Sequence, residues 1–195
     1  MKLLLGLAAR GTALMACVVV ASAQQPPMPK ALKSFDFLGT QVTILQSGAD
    51  TGGSSALLDI HVPANGGPPP HVHTREDEVY LVKSGTFQFF MDGMCRQAGP
   101  GSTFYMPKGH MHSFKNIATV TGEQLLFVYP AGLEQFFREV HDLGLKMPED
   151  FNKLNELSNT KYGINHVPDH NFHAGGVCTI VDTTDRHVRE SDSGK

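Results

Sequence analysis

Pro68-Pro69-Pro70-His71-Val72-His73-Thr74-Arg75-Glu76-Asp77-Glu78-Val79-Tyr80 is the stretch from which the rest of the chain can be read. In a β-strand, side chains alternate between faces, so His71 and His73 point one way and Val72 the other. Glu78 follows on the next strand, after a short turn. Two imidazoles on one face and a carboxylate near them make three ligands for one metal ion. Glu76 and Asp77 compete for the carboxylate position; Glu76 shares strand parity with Glu78 but lies in the turn. A fourth ligand comes from Gly101-Ser-Thr-Phe-Tyr-Met-Pro107-Lys-Gly109-His110-Met111-His112-Ser-Phe-Lys-Asn116, where His112 stands behind a Pro-x-Gly turn.

These two stretches resemble the paired motifs of the cupins, a family of small β-barrels. The first motif, G-x5-H-x-H-x3–4-E-x6-G, is met by His71, His73, Glu78 and Gly85, with Gly66 one residue nearer to His71 than the pattern asks. The second, G-x5-P-x-G-x2-H-x3-N, is met at every fixed position by Gly101, Pro107, Gly109, His112 and Asn116. An H-x-H alone is a weak signal; two motifs in the right order are a strong one. The motif spacing favours Glu78 over Glu76 as the ligand. The resemblance covers residues 35–130, and a looser likeness to small quercetin-dioxygenase-like cupins runs on to about residue 165. It implies an all-β fold, a cupin β-barrel (double-stranded β-helix or jelly roll), followed here by two C-terminal α-helices.

Composition agrees with a single folded unit. The 195 residues include 20 Gly and 12 Pro, which supply the turns an all-β chain requires, and 41% hydrophobic against 18% charged residues describes a globular protein. The net charge of −3 and the lack of a basic block argue against a nucleic-acid partner. Residues 1–23 read as a signal peptide: Lys2 and Arg10, an apolar run from Gly11 to Val20, then Ala21-Ser22-Ala23 before Gln24. That run is too short for a stable membrane span. The reading places the mature protein outside the cytoplasm, secreted or periplasmic, with a net charge of −5. A lipoprotein leader processed at Cys17 is the alternative, which the apolar Val18-Val19-Val20 disfavours. Export permits a disulfide between Cys95 and Cys178, although two separate thiols are the default reading.

Residues 24–34 read as an extended arm. From residue 35 to 130, short β-branched and aromatic runs alternate with turn signals: Val42–Gln46, Ser55–Val62, Glu78–Lys83, Thr86–Met91, Met94–Gln97, Ser102–Met106, His112–Asn116 and Gln124–Tyr129. Asp92-Gly93 marks a hairpin. Residues 131–167 turn helical. Leu133, Phe136, Phe137 and Val140 form one stripe. A second helix is expected from Pro148, with Phe151, Leu154 and Leu157 inward and Gly163 closing it. Residues 168–195 read as a polar, partly disordered tail.

Three histidines and one carboxylate suit one divalent first-row metal (Fe, Mn, Ni, Co, Cu or Zn) and leave two octahedral positions open. Parity with Glu78 places Tyr80 and Val82 in the pocket, and parity with His112 places Phe114 and Asn116 there, although Asn116 also suits a turn-bonding role. Gly85, Gly101 and Gly109 read as backbone turns. His110 is read as a solvent-facing turn residue, with a role beside the metal ligands as the alternative. His61 reads as structural or surface, and His166, His170 and His173 as tail residues. The resemblance implies a dioxygenase acting on an enolic or phenolic, flavonol-like small molecule with dioxygen, and the leader implies that it is exported. Glu78 is then both ligand and proton acceptor, and the assembly is a homodimer. The same ligands also serve a non-redox isomerase, cyclase or lyase, or a binding protein for a small ligand.

Overall fold

The computed structural model describes residues 32–167 and 179–180. The leader, most of the arm, the bulk of the tail with His170 and His173, and Cys178 lie outside them. Twelve strand segments are present among the described residues. They are β1 (Phe35–Phe37), β2 (Thr40–Gln46), β3 (Ala56–Val62), β4 (His71–His73), β5 (Asp77–Ser84), β6 (Phe87–Met91), β7 (Met94–Ala98), β8 (Thr103–Met106), β9 (His112–Asn116), β10 (Gly122–Tyr129), β11 (Ile164–His166) and β12 (Thr179–Ile180). They form two sheets of six, ordered β1-β2-β3-β10-β5-β8 and β11-β4-β9-β6-β7-β12. Every pairing is antiparallel except β7 with β12. The fold is the expected cupin β-barrel of jelly-roll type.

The strands exist because their sequences alternate. Along β3, Ala56, Leu58, Ile60 and Val62 are buried, while Leu57, Asp59 and His61 are half-exposed. β5 does the same, with Glu78, Tyr80 and Val82 inward. A one-residue slip in either strand would turn its apolar set to water and its polar set inward, so the register is strongly specified. The inward residues of both sheets merge into one core with Phe87, Phe89, Met106, Phe114, Leu126 and Val128. Phe90 faces away, into a small cluster with Cys95 and Met111, which gives the expected two-and-one division of the three phenylalanines. Cys95 is disulfide-bonded, against the default of a free thiol, and its partner lies outside the described residues. Sequence spacing carries no information on the Cα separation that a disulfide requires.

The Ser47–Gly53 turn contains one helical turn, α1 (Gly48–Thr51). Helix α2 (Leu133–Asp142) lays Leu133, Phe136 and Val140 on the core beside Phe35. It is anchored by the buried Glu134 carboxylate, which accepts the Gly48 N–H at 3.1 Å and the Gly132 N–H at 2.8 Å. Helix α3 (Phe151–Leu157) departs from the expectation. It starts at Phe151, and Pro148 precedes it in a turn whose carbonyl accepts the Phe151 N–H at 3.2 Å. Phe151 is 40% exposed, while Leu154 is buried. The chain continues through one π-type turn over Ser158–Tyr162 and stops at Gly163, in the left-handed region at φ 71°. A side chain at Gly163 would run into Thr74 and Arg75. No helix among the described residues is long and apolar enough to cross a membrane.

Candidate metal centre

The site is assembled across both sheets. β4 presents His71 and His73 on one face, and His112 at the start of β9 pairs directly with His71. Glu78 comes from the opposite sheet, on β5 between Met106 and Val128. All four side chains are buried, His112 and Glu78 to 1% exposure. One donor atom from each lies within 4.8 Å of the others. Adjacent ligands in an octahedral field, at bond lengths near 2.1 Å, stand about 3 Å apart, and His112 Nε2 lies 3.0 Å from Glu78 Oε2.

Local chain chemistry aims each ligand. The Pro68–Pro70 run lets the Pro69 carbonyl accept from His71 Nδ1 at 2.8 Å. His112 Nδ1 donates to the His110 carbonyl at 2.9 Å. His73 Nδ1 donates to the buried carboxylate of Glu76 at 2.6 Å. Each of these acceptors holds the Nδ1 proton and turns Nε2 toward the centre. Three imidazole Nε2 atoms and Glu78 Oε2 therefore converge. Acceptors at such distances repel one another unless a proton or a metal cation joins them. The donor set fits a divalent metal ion. Gly109 completes the frame: at φ +83° it turns the chain after Pro107 and donates its N–H to the His73 carbonyl at 2.8 Å.

The electrostatics follow from burial and this crowding. Burial pushes the Glu78 carboxyl up, but His73, the bond from His112, and the His112 and His71 charges outweigh it and hold the group at about 2. Burial, reinforced by His73 and His112, drives His71 well below 6.5. Burial also lowers His73, yet Glu78 and Glu76 raise it to a net value above 6.5. Tyr80 donates its hydroxyl to Glu78 Oε1 at 3.1 Å, and burial together with that carboxylate lifts its phenol well above 10. Glu78 thus has one oxygen held by Tyr80 and the other facing the imidazoles.

The expected pocket residues separate into roles. Tyr80, hydrogen-bonded to Glu78, packs on Phe114 with ring centroids 5.3 Å apart, and both rings pack with Phe89 in the core. Val82 is buried four residues along β5 from Glu78, within the core. Asn116 does not present its amide to a pocket. Its Nδ2 donates to the carbonyls of Val62, Pro63 and Val120, and its Oδ1 accepts from Ala118 N–H. The imidazole of His110 is half-exposed and paired with Asp92, so only its backbone carbonyl serves the site. His61 lies on the surface in an ion-pair network with Asp59, Glu123 and Lys83.

Two residues escape the sequence reading. Glu76, weighed there only as a competing ligand, is the hydrogen-bond partner of one. His166, set aside with the tail, sits on β11 directly opposite His71, with ring centroids 6.1 Å apart. The signal for it was faint: Ile164-Asn165-His166 alternates as a strand does.

The cupin domain family matches residues 58–129, a span that holds all four clustered side chains. Residues 58–129 are a cupin domain. Among solved structures, the chain is similar to KdgF from Halomonas sp., at 20% identity over 53% of this chain and 90% of that one, with a TM-score of 0.48. It is also similar to an RmlC-like cupin from Shewanella frigidimarina, at 18% identity over 58% and 96%, TM-score 0.49. A third is a predicted oxalate decarboxylase from Thermotoga maritima, at 17% identity over 51% and 91%, TM-score 0.47. No curated protein sequence matches the chain.

Proposed function

We propose that this cupin is an exported, metal-dependent dioxygenase acting on an enolic or phenolic small molecule. The observation that carries the proposal is the donor set: three histidines pinned at Nδ1, with Nε2 turned toward one oxygen of Glu78. Four such ligands leave two octahedral positions for exogenous oxygen donors. A metal bound there would orient the substrate and polarise its oxygen. The chain supplies the remainder. Tyr80 keeps one Glu78 oxygen occupied, and its ring joins Phe89 and Phe114 in the apolar core next to that carboxylate. Held at about 2, Glu78 is a ligand first. It becomes a proton acceptor for a substrate hydroxyl only where that substrate loosens it from the imidazoles.

The test begins with metal analysis of native protein. Metal-loaded protein is then offered a panel of flavonols and other enols in an oxygen electrode. Oxygen uptake matching substrate loss, abolished by chelation and restored by metal, is the expected result. Substrate loss without oxygen uptake would replace the reading with an isomerase, cyclase or lyase. Saturable binding without turnover would make the protein a carrier. Glu78→Gln, compared at full metal occupancy, should lose roughly 10²–10⁴-fold in turnover if Glu78 is also the base.

Export and a homodimer belong to the same proposal. Cleavage after Ala23 gives a mature chain beginning at Gln24, which N-terminal mass mapping reads directly; a lipid on Cys17 would overturn it. For the dimer, support comes from an outward row across four strands, Leu57, Phe127, Val79 and Tyr105, in register on one sheet face. Phe127 is 38% and Tyr105 53% exposed. Light scattering should give twice the chain mass, and Phe127→Glu should halve it.

A further inference from the structure

We infer that His166 is a substrate-contacting residue, whose Nε2 accepts a hydrogen bond from a hydroxyl of a small chelating molecule bound at the four-residue centre. The inference rests on the metal-centre reading above and adds a residue to it. Directly paired residues of an antiparallel ladder project to the same face. His166 is paired with His71, and Ile164 with His73, so His166 stands on the face that carries the ligand histidines. Its ring is 6.1 Å from that of His71.

Two features make it a rim group rather than a fifth ligand. It is half-buried where the four clustered residues are buried, and it is not among the side chains whose donor atoms converge. Its outer neighbour is the ring of the partly exposed Phe151, at 6.3 Å. The imidazole is thus flanked by the ring of His71 on one side and that of the partly exposed Phe151 on another, at the edge of the buried cluster.

Its chemistry is set by Ser158. That serine is fully buried, and its hydroxyl donates to the Asn155 carbonyl at 3.0 Å. With its proton committed there, Ser158 Oγ acts as acceptor toward His166 Nδ1, 3.3 Å away. The Nδ1–H tautomer follows, and Nε2 keeps a lone pair that no described residue engages. A molecule that chelates through one oxygen while retaining a neighbouring hydroxyl, as an enol or catechol monoanion does, matches that acceptor. The turn that carries Ser158 and the strand that carries His166 are joined only by Gly163, so the imidazole is fixed to a rigid support.

The experiment uses cobalt(II)-loaded protein titrated with 4-nitrocatechol, whose bound monoanion retains one hydroxyl and is followed by its visible absorption. His166→Phe should take up cobalt as the wild type does but bind 4-nitrocatechol roughly threefold to tenfold more weakly, the loss of one neutral hydrogen bond. His166→Gln, which restores an acceptor oxygen, should recover most of the affinity. Should His166→Phe fail to fold, His166→Ala against His166→Gln makes the same comparison. Equal affinity in all variants would overturn the inference, as would loss of cobalt in His166→Phe, which would make the residue a ligand or a support for one. Wild-type protein that binds cobalt but not 4-nitrocatechol would also overturn it. Failure of the wild type to bind cobalt would overturn the metal reading itself, and this inference with it.

Discussion

His73 and Glu76 form a buried ion-paired couple, Nδ1 to Oε1 at 2.6 Å, three residues apart across the turn between β4 and β5. The carboxylate holds the ring in one orientation and one tautomer, and strengthens Nε2 as a donor. Glu76→Gln keeps a hydrogen-bond acceptor but removes the charge. It is expected to weaken metal affinity by about 10–100-fold, with a smaller change in melting temperature. Equilibrium dialysis against a competing chelator measures this. Unchanged affinity would show that His73 is positioned by its strand alone.

Tyr80 gives a separate prediction. Its phenol occupies Glu78 Oε1, which favours binding through Oε2 alone. Tyr80→Phe should leave the fold intact, since the ring and its packing on Phe114 remain. The freed oxygen should then join the metal, raising the oxygen count in the X-ray absorption spectrum of loaded protein. An identical spectrum would remove the tyrosine from the coordination argument.

Metal uptake should depend on pH in a definite sense. His73 is raised above 6.5 in the metal-free site, so a metal ion must displace its proton. Affinity should therefore rise by about tenfold per pH unit while His73 titrates, then level off. Calorimetry in two buffers of different ionisation enthalpy counts the released proton. A flat profile would contradict the raised value.

For stability, Glu78 lies at about 2 in the fold against 4.5 as its usual value. Its contribution is complete above 4.5 and is lost as pH falls toward 2. His73, being raised, contributes fully below 6.5 and loses that contribution as pH rises through its folded value. His71, being lowered, works in the opposite direction near 6.5. The steep decline in melting temperature of metal-free protein is expected on the acid side. A Glu78→Gln variant should flatten it.

Glu134 tests the fold rather than the site. Its carboxylate accepts two backbone N–H groups at the junction of α1 and α2 while 3% exposed. Charged hydrogen bonds of this kind contribute about 1.5–3 kcal/mol each. Glu134→Ala should cost on the order of 3 kcal/mol, readable as a shift in the urea midpoint without change of slope. A shift within experimental error would refute the anchor.

What the sequence made legible was whatever obeys a short period. His71, His73, Glu78 and His112 could be brought together because strand parity and motif spacing act within a few residues. The inward direction of Tyr80 and Phe114 followed from the same parity. Glu76 did not, because its role depends on a turn folding a carboxylate back over three residues, which alternation does not describe. Asn116 was placed in the pocket by parity, yet the nearby carbonyls of Val62, Pro63 and Val120 claim its amide. His166 is separated from His112 by two helices, and only strand pairing could reveal it. Pro148 suited a helix first turn by composition, but α3 begins at Phe151, one turn later.

β4 is three residues long and meets β9 at a single residue pair, so much of its support comes from β11, through three paired positions and the Thr74 bonds to the Gly163 carbonyl. The family match ends at Tyr129, whereas that brace ends at His166. The segment that matches the family is thus shorter than the segment that holds the two histidines in place. A fragment trimmed to the recognisable boundary would keep every ligand in its sequence and lose the edge against which the first two are aligned. A substitution in the brace, at Ile164 or Gly163 for example, would therefore act on the centre without touching any of the four converging side chains.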